Sequence, residues 1–156
     1  MRTCSPAQVS CSFWADNYDG IAQHLKHRDV QLVAVSRAPI DKLEAYRRRM
    51  GWSFKWVSSL GSDFNRDYHV SFAPEEKTSA YYNYQSGGFS GTEAPGVSVF
   101  LKGEGGAIFH TYSCYARGLD ALNSAYQLLD LVPKGRDEDG LPYPMAWVRR
   151  HDRYET

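Results

Sequence analysis

Asp29-Val-Gln-Leu-Val-Ala-Val-Ser36 is a near-continuous apolar run, and Val30–Val35 within it has the pattern of a parallel strand covered on both faces. Downstream, Ala38-Pro-Ile-Asp-Lys-Leu-Glu-Ala-Tyr-Arg-Arg-Arg-Met-Gly51 reads as the clearest helix of the chain. Pro39 opens it, Leu43, Tyr46 and Met50 follow one face, and Gly51 stops it. Ser53-Phe-Lys-Trp-Val-Ser58 alternates and reads as a third strand, counting a first core strand expected upstream. Upstream, the stretch from Cys11 to His27 places apolar residues at 14, 18, 21, 22 and 25, a helical stripe. Ser10 or Ser12 can cap its start, and Gly20 weakens its middle by about 1 kcal/mol relative to Ala.

Residues 61–96 are the least regular part. They hold a Tyr81-Tyr82-Asn83-Tyr84 patch, read either as an edge strand or as an aromatic platform, and a short helix near Pro74–Ala80. Val97–Leu101 and Ala107–Tyr112, joined through Lys-Gly-Glu-Gly-Gly, form the strongest hairpin signal. An amphipathic helix follows over Leu119–Leu131, with Leu119, Leu122, Tyr126 and Leu129 on one stripe. Residues 133–156 form a polar, proline-marked extension ending in Trp147-Val-Arg-Arg-His-Asp-Arg-Tyr154, expected as a short docked helix. The expected class is α/β, a single domain over 1–156 with 1–10 as a poorly ordered lead-in. The order of helix, strand, helix, strand, hairpin and helix is that of the rear part of a thioredoxin-like fold, a mixed sheet flanked by helices. Its first core strand is missing: Met1-Arg-Thr-Cys-Ser-Pro-Ala-Gln-Val-Ser10 contains no apolar run long enough for one.

The 156 residues suffice for one domain with a real core. Eighteen basic and 18 acidic side chains cancel, so nucleic-acid binding is not expected. Arg47, Arg48 and Arg49 suit the last turn of a helix and a solvated face. No apolar run approaches the ~20 residues of a membrane helix. With no secretory signal read at the start and three scattered cysteines, a reducing cytoplasmic setting is expected. The 11 tyrosines and 4 tryptophans serve packing or an aromatic-lined pocket.

Several stretches carry a family likeness. They are Cys-Ser-Phe-Trp-Ala-Asp-Asn-Tyr-Asp-Gly, Val-Ala-Val-Ser-Arg-Ala-Pro, Arg-Arg-Met-Gly-Trp, Ser-Ser-Leu-Gly-Ser-Asp-Phe-Asn, Ala-Pro-Gly-Val-Ser-Val-Phe, His-Thr-Tyr-Ser-Cys-Tyr-Ala-Arg-Gly-Leu-Asp and Trp-Val-Arg-Arg-His-Asp. Together they resemble a bacterial thioredoxin-like family of unknown function, distantly similar to peroxiredoxins, from Cys11 to Tyr154. The resemblance implies a thioredoxin-like fold and little chemistry. Members of that family typically begin further upstream, with a first core strand and a Cys-Pro-x-Cys turn whose second cysteine corresponds to Cys11. Here Gln8 stands in place of the first cysteine, and Cys114 stands where the family has Thr. The gap is expected to reflect a truncated or mis-started reading frame, or a diverged member.

A cysteine at a helix start has its pKa lowered by unpaired backbone N–H groups, and Cys11 is read at such a position. It is the candidate nucleophile. It lacks the second cysteine of thiol-exchange enzymes, and Cys4 and Gln8 replace the Pro and Thr of a peroxidatic pattern. Cys4 and Cys114 are read as structural. Arg37, just past the first strand, is a candidate support for a thiolate or an anion. Pro95, before the hairpin, is expected in cis facing the cysteine. Trp14 is a ligand contact or a core residue. Two function classes stand: a single-cysteine thiol redox protein reduced by an external thiol, or a non-catalytic binding or dimerisation module using the surface around Tyr81–Tyr84. A third, metal binding through His24, His27 and a cysteine, lacks a convincing ligand spacing. No cofactor is expected, and a homodimer would cover unpaired sheet edges.

Overall fold

The computed structural model of the chain describes residues 6–155, with side chains from residue 9 onward. In chain order the first elements are α1 (Pro6–Ala15), α2 (Ile21–Lys26), β1 (Val33–Ser36), α3 (Ile40–Met50), β2 (Lys55–Ser58) and α4 (Phe64–Asp67). They are followed by β3 (Tyr81–Tyr82), β4 (Gln85–Ser86), β5 (Gly96–Lys102), β6 (Ile108–Tyr115) and α5 (Ser124–Leu129), with short 3-10 turns between. Among the described residues the strands form three separate two-stranded sheets. The architecture is mixed α/β, and the single mixed sheet expected from the sequence is not continuous. The chain divides into two compact units, one of residues up to 60 together with those from 122 onward, the other of residues 61–121.

In the first unit β1, α3 and β2 make a parallel βαβ motif, with Val33 opposite Lys55 and Ser36 opposite Ser58. Gly51 ends α3 at a φ of 69°, the left-handed conformation that lacks a steric penalty only in glycine. Its N–H and that of Trp52 close on the carbonyls of Arg48 and Arg47. The aromatic run after it folds back on this motif, so that Met50, Trp52 and Phe54 form a buried cluster with Ala34 and Trp56 beside it. Trp52 stacks on Phe54 at 5.4 Å. The other face of β1 differs from expectation. Val33 and Val35 remain 38% and 37% exposed, and no strand besides β2 pairs with β1 among the described residues. The sequence pattern of a strand buried on both faces reports apolarity alone; which face is covered depends on what packs against it, and here the aromatic cluster covers the Ala34 face only.

Two helices also differ from their sequence readings. The stripe from Cys11 to His27 is not one helix: α1 already includes Pro6, and the chain breaks before α2 at Gly20, whose φ is 79°. Asn17 holds the end of α1, its Nδ2 donating to the Phe13 carbonyl at 2.6 Å. The helix expected over Leu119–Leu131 is interrupted at Asn123, which is extended and accepts from the Tyr126 N–H at 3.2 Å as the cap of a shorter α5. The segment after α5 docks back through Glu138. Its Oε1 accepts from Tyr126 Oη at 2.7 Å, Trp147 Nε1 at 2.7 Å and the Met145 N–H at 2.9 Å. Phe13, Tyr126 and Val148 are the buried centre of that junction. The docked helix expected at the C-terminal end is a 3-10 turn over His151–Arg153.

In the second unit β3 and β4 are joined by a tight turn at Asn83 and Tyr84, both with positive φ, as a two-residue hairpin requires. Tyr82 is buried and Tyr84 exposed. The Tyr82 hydroxyl donates to the Pro95 carbonyl at 2.8 Å and accepts the Ala116 N–H at 2.9 Å. The tyrosine patch is therefore half core and half surface. Phe72, Ala80, Tyr82 and Tyr115 make the core of this unit. Its main element is the β5–β6 hairpin, with Gly96 opposite Tyr115 and Lys102 opposite Ile108 and a bulge between Val99 and Phe100.

Candidate functional site

Cys11 lies in the middle of α1, five residues after its start, so its own N–H belongs to the helix body and not to the unpaired first turn. The residue is exposed. Burial of the sulfur nevertheless pushes the thiol above its ordinary value, outweighing a backbone hydrogen bond that acts the other way. Exposure of the residue as a whole and crowding of its sulfur are compatible, because a side chain on a helix leans over the preceding turn. The environment expected to lower the pKa is thus not present. Pro95 belongs to the second unit. No cis peptide bond occurs among the described residues, so the Ala94–Pro95 bond is trans, correcting the cis expectation. An X–Pro bond takes the cis form only where the surrounding fold selects it, and here the Pro95 carbonyl is held by Tyr82.

Arg37 follows β1 directly and is exposed. Trp14 is half-buried, edge-on to Phe13 at 5.9 Å and to Tyr126 at 6.1 Å, which makes it part of the core around Phe13. Cys114 is a free, buried cysteine on β6, and the neighbouring Tyr112 hydroxyl is held above its usual range chiefly by a hydrogen bond with it. Cys4 lies outside the described residues, as does the side chain of Gln8. Among the described residues no three His, Cys, Asp or Glu side chains gather as metal ligands would, and no helix is long and apolar enough to cross a membrane.

The largest feature unread in the sequence is on the hairpin. Alternation and register put Val97, Val99 and Leu101 on one face with Cys114, Tyr112 and Phe109 opposite them. The outer part of this face is bare: Val99 is 45% exposed, Leu101 59%, Phe109 54% and Tyr112 56%. The opposite face is engaged only in part, with Phe100 still 40% and Ile108 63% exposed. Ser98 and Ser113 share a hydrogen bond at 2.7 Å, His110 Nε2 meets Ser113 Oγ at 2.7 Å, and Tyr68 packs edge-on against Phe100 at 5.5 Å. The sequence showed apolar residues on both faces of both strands and so could not say which face would remain open.

The model of one bacterial family of proteins of unknown function, DUF899, matches residues 3–154. The chain belongs to that family. No curated protein matches the sequence. No solved structure matches it either. Membership in DUF899 spans nearly the whole chain, both units included, and supplies no activity.

Proposed function

We propose that this DUF899 protein is a non-catalytic binding module that pairs with a second copy of itself through the β5–β6 hairpin. One observation carries the reading: the exposed face of Val99, Leu101, Phe109 and Tyr112 is continuous, whereas scattered single exposed apolar residues are ordinary. Both strands of the hairpin have an outer edge that no third strand pairs among the described residues. Such an edge is a template for another chain, and a twofold axis lets one surface complement itself. The fold that goes with this reading is thioredoxin-like, supported by the βαβ motif, the later hairpin and the closing α5. Sedimentation velocity is the test. A dimer that Leu101→Lys and Phe109→Lys dissociate is expected, and a monomer for the unaltered protein overturns the proposal.

The second reading, a single-cysteine redox centre, rests on the exposure of Cys11. In it Cys11 is the nucleophile, Arg37 its electrostatic support, and an external thiol the reductant. Its position within α1 and the upward displacement of its pKa weigh against it. A thiol that reacts with a disulfide reporter well below pH ~8.5 would restore it.

A further inference from the structure

The turn between α1 and α2 opens into a cleft of about 410 Å³ whose walls carry Asp16, Asp19 and Arg149, with Phe13, Ile21 and Ala125 between them. The volume lies within the ~300–1,000 Å³ of small-molecule sites. All of these residues belong to the first unit.

Asp16 and Arg149 are each braced by contacts that leave part of the group unused. Asp16 Oδ1 accepts both the Trp52 Nε1–H and His151 Nδ1, each at 2.7 Å. Its Oδ2 has no partner among the described residues, although a carboxylate can accept at both oxygens. Asp19 Oδ1 accepts the Ser53 N–H and hydroxyl, each at 2.7 Å, and these bonds, helped by one from the Phe54 main-chain N–H, keep its pKa below the usual carboxylate range. Arg149 donates from Nη1 to the carbonyls of Ala146 at 3.0 Å and Val148 at 2.9 Å. Its main-chain N–H is anchored on the Tyr154 hydroxyl at 3.1 Å. Among the described residues no carboxylate pairs with this guanidinium, so Nε and Nη2 keep their donors.

Two carboxylates, Asp16 with His151 against one oxygen, and the exposed Arg149 guanidinium therefore line one cleft without an ion pair between carboxylate and guanidinium. The cleft wall between them is also firm. Asn17 spends its amide on the Phe13 carbonyl and its carbonyl oxygen on the Ser124 N–H at 2.9 Å. Charges fixed apart before a ligand arrives cost little further ordering on binding. Such an arrangement fits a ligand that carries both signs at once.

We infer that this cleft binds a small zwitterion with an aliphatic tail, the simplest case being an α-amino acid. The ammonium lies by Asp16 and Asp19, the carboxylate takes the free donors of Arg149, and the tail covers Phe13, Ile21 and Ala125. This site shares no residue with the hairpin, so the outcome for one is separate from the outcome for the other.

The test titrates the full chain with L-leucine, with leucinamide, which lacks the carboxylate, and with 4-methylpentanoate, which lacks the ammonium. Calorimetry reads the binding. Leucine is expected to bind, with each truncated probe weaker by about tenfold or more. Arg149→Gln removes the preference for leucine over leucinamide, and Asp19→Asn, which can still accept from Ser53, reduces the preference over 4-methylpentanoate. Circular dichroism confirms that both variants are folded. Leucinamide binding as well as leucine would mean a site for cations alone, and 4-methylpentanoate doing so a site for anions alone; either overturns the proposal. So does an unchanged preference in Arg149→Gln, or no leucine binding up to about 10 mM, the weak end of specific association.

Discussion

At the scale of single residues, Glu138 shows how one carboxylate can organise a segment with no regular structure of its own. Desolvation is the largest single influence on it and raises its pKa. The hydrogen bonds from Tyr126, Trp147 and Met145, with the charge of Arg136, together bring it below the usual value. A carboxylate whose folded pKa is depressed contributes stability that is present above its unfolded value and is lost as pH falls through the folded value. Glu138→Gln is expected to lower stability at neutral pH by about 1–3 kcal/mol, the loss for weakened bonds to a charged acceptor. Its melting temperature should also depend less on pH below ~4.3; parallel acid melts of the two proteins check this. Cys11 supplies a second prediction. With its thiol displaced upward, half-maximal reaction with a disulfide reporter is expected above pH ~8.5. Arg37→Ala is expected to leave that midpoint in place.

At the scale of elements, Gly51 is the position where one side chain decides a boundary. A Cβ built there meets nothing within 4 Å, but the φ of +69° is strained for any L residue. Gly51→Ala is therefore expected to cost about 1–2 kcal/mol from backbone conformation alone, read as a lowered denaturation midpoint with an unchanged m-value. The hairpin makes the complementary point. Its glycine turn at Gly105 and Gly106, both with positive φ, was legible because few residues tolerate that geometry. Its open face was not legible, because Val, Phe and Tyr suit either side of a strand. The α1–α2 break behaves likewise: Gly20 was visible as a weak point, but only the Asn17 cap and a φ of 79° turn weakness into termination.

At the scale of the whole molecule, the described residues form three sheets of two strands each, and the proposed association would cover strand edges that these leave unpaired. Two-stranded sheets are marginal by themselves, and folded domains keep only about 5–15 kcal/mol in reserve. The melting temperature is expected to rise with protein concentration, as dimerisation linked to folding requires. A transition independent of concentration over two decades would separate stability from association. The amino-acid order by itself determined the local grammar: the βαβ core from the apolar run and the Pro39–Gly51 helix, the hairpin from its glycine turn, and the family from the motifs spread along the chain. These follow from backbone propensities and steric limits that act within a few residues. Only the tertiary structure decided that α1 extends back to include Pro6 and places Cys11 in its body, and that the Ala94–Pro95 bond is trans. It alone left the outer hairpin side chains uncovered and brought Asp16, Asp19 and Arg149 to one cleft. Each of these depends on which distant side chains come to surround a residue, and sequence periodicity records apolarity without naming the neighbour that buries it.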